Sequence, residues 1–542
     1  MNGRLEYKLI CEYPYQTLIT IMVVVFPLIV IPNPLSYVYL PKFLFLTFIS
    51  LVILIYMIKD MSRLSITEYP VLLIFLVLIF LSVLFSDNLM TAWGGSANRF
   101  TGLLTYLFCA ILFLAANRSV NYLALIKAMV FGAVIVSTIA VFQYYGLNVV
   151  PSAFIQEGWI GHRSFGTLGN PNFLATYTVF ILPASMMLYF HLFDKQWLVS
   201  SCIIFSALIV SLTRGAWLAF AVLYVMFIIY SFNKPGIRRR LFIAGVLFVL
   251  IFLLLSVTSD NSIIGRTATI SGEIADISEY TGSSASVRVL IWQKTLIIIQ
   301  DNWLFGVGPD NLRIPLPTGN LEDKAHNIFL EIAATMGIFA FAAFLFFLFL
   351  CLRKRGSWFK NMLTFMIIAY LLQGQFNIDV VMNMPLFWIV LGLTQAGNSE
   401  RITLNEGKCS MKNKPGSAMF DSRVISYSLA IGLILFSVFV AALFFYPRTG
   451  TIELNGYSTY EGQIRGVNTY HGFGVLNMEN GFSYTGYFKY GFYDGEGVIE
   501  YSDGSYYVGE FREGYYHGQG KLVLSNGETQ EGFFSRGICT SD

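Results

Sequence analysis

A chain of 542 residues that is 56% hydrophobic, 16% aromatic and only 12% charged is not a water-soluble globule, whose charged fraction is roughly a quarter. A net charge of +3 over that length gives no basic footprint for nucleic acid. The chain reads as an all-α polytopic membrane protein with a polar tail of different material.

Apolar runs long enough to cross roughly 30 Å of hydrocarbon recur from the first residues onward. About thirteen spans are expected, centred near residues 25, 50, 78, 108, 132, 182, 205, 223, 249, 340, 368, 387 and 436. The pair near 368 and 387 is interrupted by Gln373, Gln375, Asn377 and Asp379. Short basic connections, among them Arg238-Arg239-Arg240, Arg353-Lys354-Arg355 and Arg401 to Arg423, mark the cytoplasmic side. The amino terminus is then inside. Segments Asn88–Arg99, Tyr144–Asn172, Thr213–Arg214 and Ser259–Ala325 are outside, as is everything after Tyr446. The expected division is a membrane domain over 1–446, with a large extracytoplasmic loop at 258–326, and an extracytoplasmic tail over 447–542.

The six cysteines are scattered, which predicts neither a disulfide framework nor a CxxC metal site. The first apolar run is followed by Asn33-Pro34 rather than by a small-residue cleavage site.

Four arginines lie on or near the expected outer face: Arg99, Arg163, Arg214 and, in the long loop, Arg288. Arg99 lies in WGGSANRFTGLL and Arg163 in HRSFGTLGNPNFLATY, each just ahead of a span. Residues Gly169-Asn170-Pro171-Asn172 suit a tight turn that feeds a helix start, and the open N–H groups of such a start favour anions. Arg214, in SLTRGAW, has apolar sequence on both sides and almost no loop in which to reach water. A guanidinium at lipid depth costs several kcal/mol unless it meets a cavity or an anion; the plainer alternatives are snorkelling or pairing with Glu322 or Asp323. Planar guanidinium groups bind phosphate oxygens bidentately, so arginines converging here would suit a lipid-borne diphosphate.

The stretch from Val257 to Phe341 is the longest polar interval between spans. Val287 to Ile299 reads as an amphipathic helix carrying Arg288. His326 and Asn327 fall where the next apolar helix leaves the water, with Asp323 upstream and Glu331 five residues on. A lone histidine is more often a satisfied polar residue than a catalyst, yet a neutral imidazole here can accept a proton near physiological pH. His326…Glu331 is not HExxH and the loop holds no second histidine, so no metal is expected. His162, also expected outside, is the next candidate base.

The tail from about Gly450 is periodic. Tyr460-Glu-Gly462, Tyr484-Thr-Gly486, Tyr507-Val-Gly509 and Gln530-Glu-Gly532 recur every 23 or 24 residues. The turn dipeptides Asn480-Gly481, Asp503-Gly504 and Asn526-Gly527 keep the same period. Each unit is a short hairpin unable to bury its aromatic face alone, so the units must stack. His471 and His517 occupy equivalent places, which favours shared architecture over metal binding.

Two resemblances follow. Over roughly Tyr460–Gly532 the tail resembles MORN repeats, which serve as binding or spacing platforms and imply an envelope partner rather than catalysis. The motifs TLGNPNFLATY, SLTRGAWLA, RVLIWQKTLIIIQDNWLFGVGPDN and HNIFLEIAATMGIFAF resemble the O-antigen ligase and polymerase superfamily over roughly 70–400. That family implies a GT-C type fold of 12–13 transmembrane helices and an inverting, metal-independent glycosyltransferase of the bacterial cytoplasmic membrane. Its partners would be membrane lipid, a glycan on undecaprenyl diphosphate, and an acceptor glycolipid, wall polymer or protein, with no cofactor and no nucleic acid. The resemblance assigns Arg214 and Arg288 to the diphosphate with Arg99 and Arg163, His326 to the acceptor, and Asn327, Glu331, Asn170 and Asn172 to support. A repeat-unit polymerase is the nearest alternative. An inorganic-carbon transporter is disfavoured by span centres almost empty of ionisable residues.

Overall fold

The computed structural model describes residues 14–31, 38–59, 69–96, 99–147, 163–258, 263, 284–315, 321–353 and 356–396, together with 448–454, 458–465, 469–489, 492–512, 514–535 and 537–540. His162, Arg266, the basic segment 401–423 and the span expected near residue 436 lie outside them. The chain divides into two compact units, a helical one drawn from 1–31 and 38–415 and another that holds the C-terminal sheet.

The helical unit runs α1 (Pro14–Val25), α2 (Tyr39–Lys59), α3 (Pro70–Leu84), α4 (Leu89–Gly94), α5 (Leu103–Asn117), α6 (Tyr122–Tyr144), α7 (Pro171–Leu192), α8 (Lys195–Val210), α9 (Arg214–Ser231), α10 (Pro235–Val257) and α11 (Ser284–Asp301). The two-residue strands β1 (Ile314–Pro315) and β2 (Leu321–Glu322) then pair, before α12 (Ile328–Arg353), α13 (Trp358–Gln373) and α14 (Met384–Gln395). Among the described residues six helices are long and apolar enough to cross a membrane: α2, α6, α7, α9, α10 and α12. The first helical run, α3, α5, α8 and α14 are apolar but shorter. At 1.5 Å per residue, 12–16 residues reach only about 18–24 Å, so the sequence-based span count exceeds the full-length helices described.

Helix α7 is the hub of this unit. The apolar window that qualifies it as a span is entirely buried, and it packs against α8, α13 and α6. The predicted start is present: Pro171 occupies the first turn, and the Asn170 side chain caps it by accepting from the Asn172 N–H at 2.8 Å. Gly169 takes φ of 75°, and a Cβ there would come within 2.9 Å of the Val38 side chain, so the turn needs glycine twice over.

Helix α12 is broken at Gly337, where φ of 83° interrupts the ladder. A broken helix in an apolar setting must satisfy its released backbone groups elsewhere. The turn after α11 does this. Val307 N–H donates to the Ala334 carbonyl at 3.0 Å and Gly308 N–H to Thr335 at 2.8 Å, while Ile338 N–H donates to the Trp303 carbonyl at 2.8 Å. Gly306 fits against this break because a Cβ would lie 2.3 Å from the Thr335 carbonyl carbon. The loop helix is thus bolted to α12.

The second unit is a nine-stranded antiparallel meander in sequence order, β3 (Arg448–Leu454), β4 (Ser458–Arg465), β5 (Thr469–Asn477), β6 (Ser483–Lys489), β7 (Phe492–Glu500), β8 (Tyr506–Arg512), β9 (Tyr515–Val523), β10 (Thr529–Ser535) and β11 (Ile538–Thr540). The predicted turns hold, with Gly481, Gly504 and Gly527 at φ of 79°, 83° and 85°. Glycines 450, 462, 474, 486, 497, 509, 520 and 532 pair across eight successive strands. The reason is steric. Tyr460, Tyr484 and Tyr507 are fully buried and lie across this line, so a Cβ at Gly497 would sit 2.5 Å from the Tyr484 hydroxyl. The same face carries Phe488, Phe511 and Phe534 edge-on to those tyrosines, and these rings are the core of the sheet.

Candidate active site

The site gathers where α7, α9, α11 and α12 begin, around the segment 374–383 that joins α13 to α14. That segment, foreseen only as a polar interruption, is fixed from several directions. Asn377 donates to the Asn172 carbonyl at 3.2 Å and to Thr176 Oγ1 at 2.7 Å, and Asn383 donates to the Phe173 carbonyl at 3.1 Å. Tyr370 donates its hydroxyl to Asp379 Oδ1. From the other side, Ile328 N–H reaches the Gly374 carbonyl at 2.8 Å and Asn327 Nδ2 reaches Gln375 Oε1 at 3.1 Å.

Arg163 and α9 meet directly. The half-buried Arg163 donates from Nε to the Ser211 carbonyl at 3.1 Å and from Nη2 to Thr213 Oγ1 and Asn172 Oδ1, both at 2.9 Å. Thr213 is the residue before α9, and Arg214 is its first residue. The guanidinium of Arg163 therefore joins the starts of α7 and α9, and Asn172 serves as its acceptor. The loop that carries Arg163 is anchored by Lys42, a buried ammonium that donates to the carbonyls of Ile29 at 2.6 Å, Thr167 at 3.1 Å and Pro27 at 3.3 Å. Sequence reasoning passed over Lys42, which reads as one polar residue in an apolar run.

Beside Arg214, Gly215 keeps the first turn of α9 open: a Cβ there would meet Phe376 at 3.0 Å and Gln373 Oε1 at 3.5 Å. Gln373 is 1% exposed, and neither its Oε1 nor its Nε2 has a hydrogen-bond partner among the described residues. A buried amide left this way carries an unmet demand for a polar ligand. Trp292 lies 6.5 Å from Phe376 between ring centroids, which brings α11 to the same segment. Arg288 is one helical turn before Trp292, on the same face of α11.

The histidine end is held by a buried charge network. Lys324 Nζ is 2.7 Å from Asp310 Oδ1, 3.1 Å from Glu331 Oε1 and 3.0 Å from Thr101 Oγ1. Asp310 Oδ2 accepts in turn from Ser96 N–H and Oγ at 2.7 and 3.1 Å, and from Thr101 N–H at 3.3 Å. Burial alone would raise the Asp310 carboxyl, but the Lys324 ammonium and these donors hold it below its ordinary value. Burial alone would lower Lys324, and the two carboxylates reverse that and raise it. Glu331 also accepts from the Ala325 N–H at 2.7 Å, so its role is to fix the backbone beside His326. Ser96 and Thr101 flank Arg99, whose Nη2 is 3.3 Å from Asp323 Oδ1.

His326 stands at the end of this network with φ of 51°, a left-handed conformation that is strained for a side-chain-bearing residue. Its ring is 27% exposed, and Nε2 lies 3.8 Å from Glu322 Oε2. The imidazole beside it holds the Glu322 carboxyl below its ordinary value. Asn327 caps α12, accepting from the Phe329 and Leu330 N–H groups at 3.0 and 3.2 Å. The sequence pointed to Asp323 and Glu331 as the acids near His326. The fold gives those to Arg99 and Lys324 and sets Glu322 against the histidine. Asp310 and Lys324 were missed, and Glu322 and Gln373 were named only as a possible partner of Arg214 and as a polar interruption, since nothing in their spacing ties them to the site.

The arrangement offers cationic groups near the α9 start, which has no side-chain cap, and an accessible imidazole on a strained backbone with a carboxylate beside it. Among the described residues no group of three or more potential metal ligands is found. Residues 199–345, which contain Arg214, Arg288 and His326, match the family model described as O-antigen ligase. Residues 484–506 and 507–529 each match the MORN repeat. The unit over 460–483 keeps the register of the two matched repeats. No curated protein matches the chain.

Proposed function

We propose that the protein transfers a glycan from an undecaprenyl-diphosphate donor to an acceptor hydroxyl or amide at the outer face of a bacterial cytoplasmic membrane. The observation that carries this reading is the convergence of the α9 start, α11 and the residues just after His326 on segment 374–383; these three lie within residues 199–345, the part of the chain similar to O-antigen ligases, and the segment lies beyond it. Arg214 and Arg288 hold the diphosphate, whose departure needs charge stabilisation more than a proton. Arg163 keeps the α7 and α9 starts in register for it, and Arg99 supports the His326 side through Asp323. His326 removes the acceptor proton during attack at the sugar C1, which inverts the anomeric centre. Glu322 orients the imidazole, as a third group does for other activated nucleophiles. This reading takes the repeats as extracytoplasmic, because the basic segment 401–423 precedes the last apolar run.

The test is transfer from a purified undecaprenyl-diphosphate glycan in detergent. His326→Ala should lower the rate by about 10²–10⁴ with donor binding retained. Arg214→Ala and Arg288→Ala should weaken donor binding, and lysine should restore each only in part, since a point charge lacks the fork. Near-normal turnover by His326→Ala would remove the base assignment, and loss of wild-type activity in EDTA would remove the metal-independent mechanism.

A further inference from the structure

The repeat sheet has two unlike faces. One is the tyrosine-filled core, and the other carries a row that the core does not explain. Phe473 faces Tyr487 across β5 and β6, with ring centroids 5.6 Å apart and edge-to-face. Tyr487 packs over Gly495, next to Glu496. Glu496 stands directly opposite Glu510 on β8, and Gln519 opposite Phe533 across β9 and β10. Phe473, Tyr487 and Phe533 are each about half exposed, at 49%, 51% and 49%, and Glu496, Glu510 and Gln519 are exposed. At roughly 4.8 Å per strand the row is about 24 Å long.

Two features of this row disfavour the sheet's own stability. Like charges directly opposite each other on neighbouring strands repel, and large aromatic rings gain nothing from standing in water. Both are accounted for by a ligand that offers apolar faces and hydroxyl donors in alternation. Sugar rings do this: their C–H faces stack on aromatic rings, and their hydroxyls donate to carboxylates and the glutamine amide. A protein partner fits less well, because the core of a protein interface is depleted of charge and this row has a carboxylate pair at its middle. Anionic lipid or a phosphorylated polymer fits worse still. Residues 448–542 contain 12 acidic and 6 basic residues, against 20 and 29 in the rest of the chain, so the repeats repel anions.

We propose that this row binds a segment of uncharged polysaccharide. The choice of polysaccharide as occupant rests on the glycan-transfer reading of the membrane unit. The sheet would then retain acceptor or product chain beside the enzyme that extends or attaches it, and raise its local concentration at the site.

The experiment uses the full chain in detergent. The probe is the envelope polysaccharide of the producing cells, separated by anion exchange into neutral and anionic fractions. The wild type should retain the neutral fraction and not the anionic one. Phe473→Ala with Tyr487→Ala should weaken retention at least tenfold, and Glu496→Gln with Glu510→Gln should weaken it measurably. Lys521→Ala, on the same face but outside the row, should bind as the wild type does. Thermal unfolding of each variant verifies the fold. His326→Ala should still bind the neutral fraction, and the row variants should still transfer glycan to a short acceptor, so the sheet and the transfer site are judged separately. Failure of the wild type to retain the neutral fraction would overturn the proposal. So would equal retention by the Phe473 and Tyr487 variant, or retention of an envelope protein or anionic vesicle through the row instead.

Discussion

Lys324 and Asp310 form a salt bridge at 2.7 Å with both side chains almost entirely removed from solvent, at 3% and 2% exposure. It joins the turn before α12 to the turn after α11, and through the hydrogen bonds of Asp310 to Ser96 and Thr101 and of Lys324 to Thr101 it ties the backbone that carries His326 to the backbone that carries Arg99. Breaking a buried pair by removing one member leaves an uncompensated charge and costs about 3–5 kcal/mol. Lys324→Met should therefore lower the unfolding temperature clearly. Adding Asp310→Asn should recover part of the loss. Thermal unfolding in detergent measures both, and an unchanged Tm for Lys324→Met would mean that the pair does not hold the turn.

The same pair sets a pH dependence. Asp310 is depressed below its ordinary 3.8, so its contribution is fully present above that pH and is lost as pH falls through the folded value. Lys324 is raised above 10.5, so its contribution is fully present below that pH and is lost as pH rises through the folded value. The gap in Tm between the wild type and Lys324→Met should be level between the two ordinary values and narrow on either side. A gap that grows on acidification would contradict the assignment.

In the proposed mechanism Glu322 acts through His326 and not on substrate. Glu322→Gln should lower kcat about tenfold or more, ~1.4 kcal/mol in the barrier, while KM for the donor stays near the wild-type value. Steady-state transfer kinetics distinguish this from general misfolding, which would change expression and both constants together.

Gln373 lies buried against Gly215, next to Arg214, with its amide unmet. Replacing an unsatisfied buried amide by an apolar residue of similar size is close to neutral for stability. Gln373→Leu should accordingly keep the Tm and raise the donor KM. A normal donor KM would show that the amide has no part in binding.

In the sheet, two glycines separate shape from conformation. Gly497→Ala would drive a methyl into the Tyr484 hydroxyl at 2.5 Å, whereas Gly504, at φ of 83°, has nothing within 4 Å of its Cβ. The first change should disrupt the aromatic core across neighbouring strands. The second should cost only the left-handed strain, on the order of 1 kcal/mol. Limited proteolysis of the repeats compares them.

The sequence by itself determined whatever rests on local pattern. Apolar runs gave the helices, Asn170-Pro171 gave the start of α7, and the 23-residue period gave the turns and strands of the sheet, because capping, hydrophobic periodicity and turn chemistry act within a few residues. Arg99, Arg163, Arg214, Arg288 and His326 stood out for a similar reason, as charged or titratable groups at the edges of apolar spans. Tertiary structure alone decided which of them meet and what supports them. Asp310 and Lys324 touch Thr101 more than 200 residues away, and Asn172 reaches Asn377. His326 takes Glu322 instead of the nearer Asp323, because the end of β2 and the left-handed turn at His326 reorient the chain there. Contacts of that kind depend on how distant helix ends pack, and a spacing along the chain does not encode them.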